Sequence, residues 1–526
     1  MANKGTFYFS VILYFITIIF SQNICARCSL IDSSSHTVER VDDALGRLLL
    51  SNMPCPQNVF ALRQLLKNAG LTLETTMVAN RGFHNPTQGS FSLFEMALGE
   101  LKISDAHWYI NAGDFFFGHF TGIGAEGDLI ADQNPEENSL MIEAFAWDTK
   151  KKVFNFYELR GDGSQGQWFY RGDSSDIFAD NELLHRQPNP QHPEFGNRLR
   201  CSGCHCAGGP IMKELAKPHN DWWEPIRRLD FGGHNPDALL QEILETLVPP
   251  EHLAKNVLKG LKKLNRSQKA RSLPEQLRPL FCPVELNLMS DTAPSDEQRA
   301  ELNIPAEFFL DSRLLQTKEK QTIRISRVFY NAALNAVGSH FPETDLNDAD
   351  HAWLTPVKAQ SDMLAVDNLI KNGIIDQKFM MDVLDVDMTN PIFSSARCRL
   401  LRFLPNALTA NWREVFKENL NQSGDWAAKS LLKNLMASQH DAAFYMRKAK
   451  KYLQHCQFKL QKSNNVLMMY HLLAQRQAEV RASEISLNPR GQILEPGFRI
   501  IFPENKIRTT PERLKLTLTC EVVDDI

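Results

Sequence analysis

The sequence predicts an α+β fold in which an antiparallel sheet near the N-terminus is followed by a mainly helical second half. The first observation is a pair of strand-like runs at 140–147 and 153–159 that flank the polar connection 148–152, as in a β-hairpin. The second is the helical spacing of apolar residues between 307 and 484. Alternation returns after 484, which predicts a small terminal sheet.

The remaining elements follow in chain order. In the first half, helical patterns at 41–50 and 58–68 precede strand-like runs at 89–95, 107–111 and 167–171, with a buried strand at 115–117. In 153–157, Val153, Asn155 and Tyr157 share one face of the strand, and Phe154 and Phe156 share the other. Later helical patterns lie at 236–247, 253–264, 363–372 and 444–455, and in the run that carries Phe379, Met380, Val383 and Leu384.

Residues 1–26 are typical of a secretory signal peptide. Lys4 supplies a small positive region, the residues from 7 to 20 are almost entirely apolar, and 24–26 offer a cleavage site. The apolar run is shorter than a membrane-spanning helix requires, so a retained anchor is the weaker alternative. We expect an exported protein with no membrane span after removal of the signal.

Cys201, Cys204 and His205 form the pattern C-x-x-C-H, the attachment signature of c-type haem. Two thiols held three positions apart can each add to one vinyl group of the same porphyrin. The following histidine then lies under the ring and can give its imidazole to the iron. The sequence therefore predicts one covalent haem c, with Cys201 and Cys204 as the attachment residues and His205 as an axial iron ligand.

Export and the haem pattern support each other, because c-type cytochromes mature outside the bacterial inner membrane. Together they indicate the bacterial periplasm. Nine cysteines follow the signal, and seven remain if the haem uses two. In an oxidising compartment some should pair, and the odd number leaves at least one thiol. Cys206 needs a partner if it is not to compete for haem, and Cys282 is the nearest candidate in sequence.

These predictions divide the chain of 526 residues into five regions. They are a signal peptide at 1–26, a mixed α/β region with antiparallel strands at 27–195, a cytochrome c-like haem domain at 196–300, a helical region at 301–484 and a small β region at 485–526.

Two other sites compete for the cysteine pattern. A thioredoxin-like C-x-x-C would begin a helix, which Gly208-Gly209-Pro210 would stop almost at once. A zinc site needs further ligands at finger-like spacing, and the sequence has no second C-x-x-C nearby. Haem is the favoured interpretation. Pro210 is then a candidate to accept the Nδ1–H of His205 through its carbonyl oxygen, so that Nε2 faces the iron.

The sixth iron ligand decides the chemistry, because methionine gives an electron carrier and an open position allows ligand binding. Met289 is the candidate second axial ligand, since its segment is better able to return over the distal face than that of Met212. His219, His234 and His252 are more distant options. Each of these residues is more typical of a core or surface position, so the sequence leaves the sixth ligand open.

The charge of the chain limits the kinds of binding partner that we expect. A formal net charge of −4 argues against nucleic acid as a general partner. The stretch 259–271 is rich in lysine and arginine. It could guide an acidic redox protein, although a solvated helix face is the more common explanation.

Several further segments carry a resemblance to a known family. They are 195–205, 208–215, 218–222, 278–285, 382–387 and 390–394. With them, most of the mature chain resembles a little-characterised family of secreted bacterial proteins with one cytochrome c domain. The resemblance implies covalent haem at Cys201 and Cys204 and iron ligation by His205. It implies no particular reaction.

Three functional hypotheses follow. The first is a periplasmic monohaem protein that exchanges electrons with an unidentified redox partner. The second is a haem enzyme or sensor with an exchangeable sixth ligand, acting on peroxide or a small gas. The third is a disulfide-stabilised secreted binding protein without haem. Whether the chain is an enzyme stays open at this stage.

Overall fold

The structure is a computed structural model of the chain. It describes most of the chain, with gaps. The described residues are 28–51, 53–81, 90–103, 106–132, 134–137, 139–178, 201, 205, 208–210, 233–267, 272–283, 285–286, 300–317, 321–338, 357–358, 360–391, 394–472 and 514–524.

The N-terminal half is built on one antiparallel seven-stranded sheet. Its main path has the order β1-β2-β4-β7-β8-β9, and β3 pairs with the far half of the long strand β2. The strands are β1 (Leu71–Arg81), β2 (Ser90–Ile103), β3 (Ala106–Ile110), β4 (Phe115–Phe120), β7 (Leu140–Asp148), β8 (Val153–Gly161) and β9 (Gly166–Asp173), while β5 (Gly122–Ile123) and β6 (Leu129–Ile130) form a separate small ladder.

Both faces of this sheet are buried. Successive residues of a strand point to opposite faces, and here they enter different hydrophobic clusters. In β4, Phe115 and Phe117 belong to one cluster and Phe116 to the other. In β8, Tyr157 faces the first side and Phe154 and Phe156 the second. The alternation expected from the sequence is therefore confirmed for 154–157, whereas Val153, at the start of the strand, packs against the second cluster.

Different elements cover the two faces. Helices α1 (Ala44–Leu49) and α2 (Val59–Asn68) pack on the first face. Their N-terminal caps are Asp43 and Asn58, whose side chains accept backbone N–H groups of the first turn. The second face, which we call the aromatic face, carries Phe94, Phe116, Phe145, Trp147, Phe154 and Phe156. It is covered by the helix Pro250–Ser267 and by Cys201.

The second half is largely helical and has its own core. Its described helices continue the series as α3 (Ala238–Glu245), α4 (Pro250–Ser267), α5 (Leu273–Phe281), α6 (Arg327–Gly338), α7 (Gln360–Lys371), α8 (Gln377–Asp385), α9 (Ser395–Cys398), α10 (Trp412–Asn421), α11 (Trp426–Met436) and α12 (Ala442–Lys459). Short ladders pair β10 (Glu285–Leu286) with β13 (Val357–Lys358), β11 (Glu301–Pro305) with β12 (Thr322–Ser326), and β14 (Leu514–Leu516) with β15 (Val522–Asp524).

The α+β class, the N-terminal antiparallel sheet and the helical second half are confirmed. The terminal strands β14 and β15 form a separate hairpin on the helical core, where Leu514 and Leu516 are buried. Strand β1 was not predicted, although Leu71, Leu73, Thr75 and Met77 alternate with polar residues as a half-buried strand requires.

The cytochrome c-like domain at 196–300 stays a prediction. Its described residues do not gather into one separate core: α3 packs with Leu93 and Leu129, α4 packs on the aromatic face, and α5 packs in the helical half. Residues 1–27 lie outside the described residues, so the signal peptide also stays a prediction. No described helix has the length and apolar character needed to span a bilayer.

Three disulfides join described cysteines. They are Cys28–Cys55, Cys282–Cys398 and Cys456–Cys520. The proposed pairing of Cys206 with Cys282 is therefore wrong, because Cys282 is bonded to Cys398 across 116 residues of chain. Local sequence gave no signal for so distant a partner. Of the nine cysteines after the signal, the three outside these bonds are Cys201, Cys204 and Cys206.

Candidate functional site

Two residues of the C-x-x-C-H pattern lie on the aromatic face of the sheet. Cys201 and His205 are 7% and 5% exposed. The backbone N–H of His205 donates to the carbonyl oxygen of Cys201 over 2.7 Å, which closes a single helical turn. Cys204 lies outside the described residues. The turn thus brings the first cysteine and the histidine of the pattern into the same buried layer.

The imidazole of His205 is held by aromatic rings and by one backbone carbonyl. Its centroid lies 5.2 Å from that of Phe145 and 5.1 Å from that of Phe156. Its Nδ1 lies 3.0 Å from the carbonyl oxygen of Gly209. The expected type of contact is present, but its acceptor is Gly209 rather than Pro210, one residue earlier. Pro210 instead lies against helix α4, where a Cβ at Gly260 would be 3.3 Å from its Cγ.

These contacts define the protonation of the ring. Burial lowers the pKa of His205 to about 4, against a small opposing effect of the Gly209 carbonyl. The imidazole is therefore neutral near pH 7. Because a carbonyl oxygen can only accept, the single proton lies on Nδ1 and the lone pair on Nε2. This is the tautomer that a histidine needs in order to bind a metal through Nε2.

Two glycines allow the turn to seat between the sheet and helix α4. Gly208 has a φ of +72°, and a Cβ there would lie 2.3 Å from the carbonyl oxygen of Ser174. A Cβ at Gly209 would lie 2.9 Å from methyl groups of both Leu261 and Leu264 on α4. The close approach on both sides explains why the sequence has glycine at both positions.

A buried ion pair lies beside Cys201. The Sγ of Cys201 is 3.8 Å from Oε1 of Glu158, and Oε2 of Glu158 accepts from Nε of Arg171 over 2.8 Å. The guanidinium of Arg171 also lies 4.5 Å above the ring of Phe169. Neither Glu158 nor Arg171 was predicted as a site residue. A signal was present for Glu158, which continues the period of Phe154 and Phe156 and so had to reach the same face.

A second buried charge cluster is part of the fold rather than of this site. The carboxylate of Glu95 bonds to Arg63 of α2 and to Nε2 of His119 over 2.8 Å, while Nδ1 of His119 bonds to the carbonyl of Ala131 over 2.9 Å. Burial alone would raise the pKa of Glu95, but the hydrogen bond from His119 and the charge of Arg63 lower it. Both carboxylate oxygens and both ring nitrogens are engaged, so the cluster ties α2 to the sheet.

Of the other ligand candidates, the two that the structure describes, His234 and His252, are bonded to groups other than His205. Met289, Met212 and His219 lie outside the described residues, and the ligand role of Met289 stays a prediction. His234 bonds through Nδ1 to the carbonyl of Gly127 over 2.7 Å, and His252 bonds through Nε2 to Glu74 over 2.7 Å. Within the described residues, no group of three His, Cys, Asp or Glu side chains is arranged to hold a metal ion.

The described part of this site has two of the groups that covalent haem requires, a thiol at Cys201 and a neutral imidazole with its lone pair on Nε2. The second thiol, Cys204, lies outside the described residues. However, the imidazole is only 5% exposed and is enclosed by Phe145 and Phe156. A porphyrin can reach Nε2 only if side chains around the ring move.

Comparisons with known proteins add no identification. No protein-family model, no curated protein and no solved structure matches the chain. The resemblance to secreted monohaem proteins therefore stays a prediction from the residues alone.

The seating of the turn predicts a difference between two glycines. Gly208→Ala should lower the free energy of unfolding for two reasons. Holding an alanine in the left-handed backbone region costs about 1–2 kcal/mol. Overlap of its Cβ with Ser174 should cost about 1–3 kcal/mol more. Gly163 has a φ of +95° and nothing within 4 Å of an added Cβ, so Gly163→Ala should show the strain alone. Denaturant unfolding measures both variants. Equal losses of stability would contradict the close packing at Gly208.

Burial of His205 predicts a pH dependence of stability. In haem-free protein the unfolded chain takes up a proton at His205 near pH 6.5, whereas the folded chain does so only near pH 4. The free energy of unfolding should therefore fall as the pH is lowered through this window, by at most about 3 kcal/mol. His205→Leu should remove this part of the pH dependence, as measured by denaturant unfolding at several pH values. The exposed His36→Leu is the control. A His205→Leu profile that keeps the full wild-type slope would show that His205 is not buried as a neutral ring.

Proposed function

We propose that the chain is a periplasmic protein that binds one haem c covalently through Cys201 and Cys204, with His205 as an axial ligand, and that it transfers electrons to or from a redox partner. The three disulfides among the described residues fit a protein that folds in an oxidising compartment. These disulfides use cysteines other than Cys201 and Cys204, so they do not compete with haem for the cysteines of the C-x-x-C-H pattern.

The observation that carries the proposal is the state of His205. The imidazole is neutral, and its Nδ1–H is fixed by the carbonyl of Gly209. This fixed tautomer directs the lone pair of Nε2 away from the backbone. Haem-binding histidines need this second contact, because it sets the ring orientation and raises the basicity of the ligating nitrogen.

Residues around His205 and Cys201 would determine the environment of a bound haem. When bound, haem supplies an iron that accepts and releases one electron. Phe145 and Phe156 exclude water from the imidazole, which favours the less charged state of a buried redox centre. Glu158 places a carboxylate near the Cys201 sulfur, and Arg171 offsets its charge. An electron carrier needs no further acid–base group at this position.

The enclosure of His205 also favours a second candidate, a disulfide-stabilised secreted binding protein without haem. In this alternative the histidine is a core residue, and its 5% exposure and its bond to Gly209 serve packing alone. The two candidates make opposite predictions about covalent haem.

We expect protein exported from a bacterium with periplasmic haem maturation to keep haem colour through denaturing electrophoresis. Cys201→Ala and Cys204→Ala should each remove most of this colour, because each breaks one of the two thioether links. Cys206→Ala is the matched control and should keep it. Normal export and folding without any haem would exclude the proposal and leave the binding-protein candidate. If haem is bound but the oxidised protein takes up cyanide rapidly, the sixth position is exchangeable, and a sensor or enzyme replaces the electron carrier.

A further inference from the structure

A large cleft is lined by Lys262, Asn265 and Arg266 of helix α4, whereas Leu261 and Leu264 of the same helix face Gly209. It has a volume of about 1030 Å³, which is at the upper end of the range for small-molecule sites. One wall comes from the last turns of α4, and the opposite walls come from α5 and α7, with Phe178 and the loop at 406–408 at the edges. Residues of both halves of the chain therefore line it.

The walls present cations that no carboxylate in the described part of the chain neutralises. Lys262 and Arg266 of α4 and Lys371 of α7 line the cleft, and none of them forms an ion pair with a described residue. Lys262 and Arg266 are four residues apart on one helix, where two like charges repel. An anion between the walls would relieve this repulsion.

The acidic side chains of the same walls are already engaged. Glu275 accepts from the backbone N–H and the hydroxyl of Ser272, both over 2.7 Å, at the start of α5. Asp362 is paired with the buried Arg278. Asp367 lies 3.2 Å from the guanidinium of Arg313. The charged side chains of the cleft that remain available to a ligand are therefore the positively charged ones.

Two buried donors in the cleft wall have no hydrogen-bond partner among the residues that the structure describes. They are Nε of Arg278, whose side chain is 4% exposed, and Nδ2 of Asn265. A buried donor without an acceptor costs roughly 1–3 kcal/mol, so it is normally satisfied by a ligand or by water. Both donors belong to residues that line the same cleft as the three cations, and both donor atoms lie beneath its surface.

We propose that this cleft binds a small organic anion that carries several acceptor oxygens, either carboxylate or phosphate. Arg266, Lys262 and Lys371 bind the charged group, since guanidinium and ammonium groups are the usual partners of both. The ring of Phe178, which lies 5.0 Å from the Arg278 guanidinium, contacts the carbon skeleton. The proposal does not depend on haem.

Calorimetric titration of the full chain tests it, with citrate, glucuronate and inorganic phosphate as probes and glucose as the uncharged comparison. We expect at least one anion to bind. Arg266→Gln should weaken that binding at least tenfold, because it removes one of the three cations that line the cleft. Arg266 is exposed, so its replacement should leave the fold intact. The affinities for citrate and glucuronate, compared with that for inorganic phosphate, show whether the cleft prefers carboxylate or phosphate oxygens.

Lys255→Gln is the matched control, because Lys255 is an exposed lysine of the same helix that does not line the cleft. It should leave the affinity unchanged. Binding of no anion, equal weakening by both substitutions, or binding of glucose as tight as that of the anions would each overturn the proposal. Far-ultraviolet circular dichroism of each variant confirms that the fold is retained.

Discussion

Burial of both faces of the seven-stranded sheet is the constraint on which the rest of the structure depends. Because side chains alternate along each strand, β4, β7 and β8 send rows of apolar groups to opposite sides, and both rows must be covered. Helices α1 and α2 meet this need on one side. On the other side the aromatic face is covered by α4 together with the turn that carries Cys201 and His205. The candidate site is thus part of the hydrophobic packing that completes the sheet.

This location explains the chemistry of the site. A histidine in an aromatic layer loses its hydration, which is why its pKa falls and why the neutral ring persists near pH 7. The same layer requires buried charges to be paired, since breaking such a pair leaves an uncompensated charge that costs about 3–5 kcal/mol. Glu158 meets the requirement through Arg171, and Glu95 through Arg63 and His119. Position on the sheet therefore determines the neutral state of His205 and the charge near Cys201, while the carbonyl of Gly209 selects the tautomer.

Local sequence was sufficient for the elements but not for their assembly. The hairpin of β7 and β8, the alternation of Phe154 and Phe156, and most helices could be predicted because their periodicity lies within a few residues. The cysteine spacing likewise predicts a haem ligand set without any structure. Docking of His205 against Phe145 and Phe156 could not be predicted, because those contacts join positions 60 and 49 residues apart in the chain.

The same limit applies to the other features that the sequence did not reveal. The Cys282–Cys398 bond closes 116 residues. The cleft takes its walls from the neighbouring helices α4 and α5 and from α7, which begins about 80 residues after α5 ends. In each case the residue type was visible in the sequence, but its partner was set by the tertiary arrangement. The glycines at 208 and 209 are an intermediate case, since they marked a turn but not what the turn packs against.

The central claim is that the aromatic face holds His205 as a neutral imidazole protonated at Nδ1. The most direct measurement is the nitrogen chemical shifts of His205 in haem-free protein with ¹⁵N-labelled histidine, assigned by comparison with His205→Leu. At pH 5.5 the account predicts a neutral ring with Nδ1 protonated and Nε2 unprotonated, since the pKa is about 4. A doubly protonated ring at that pH, or a proton on Nε2 instead of Nδ1, would contradict it.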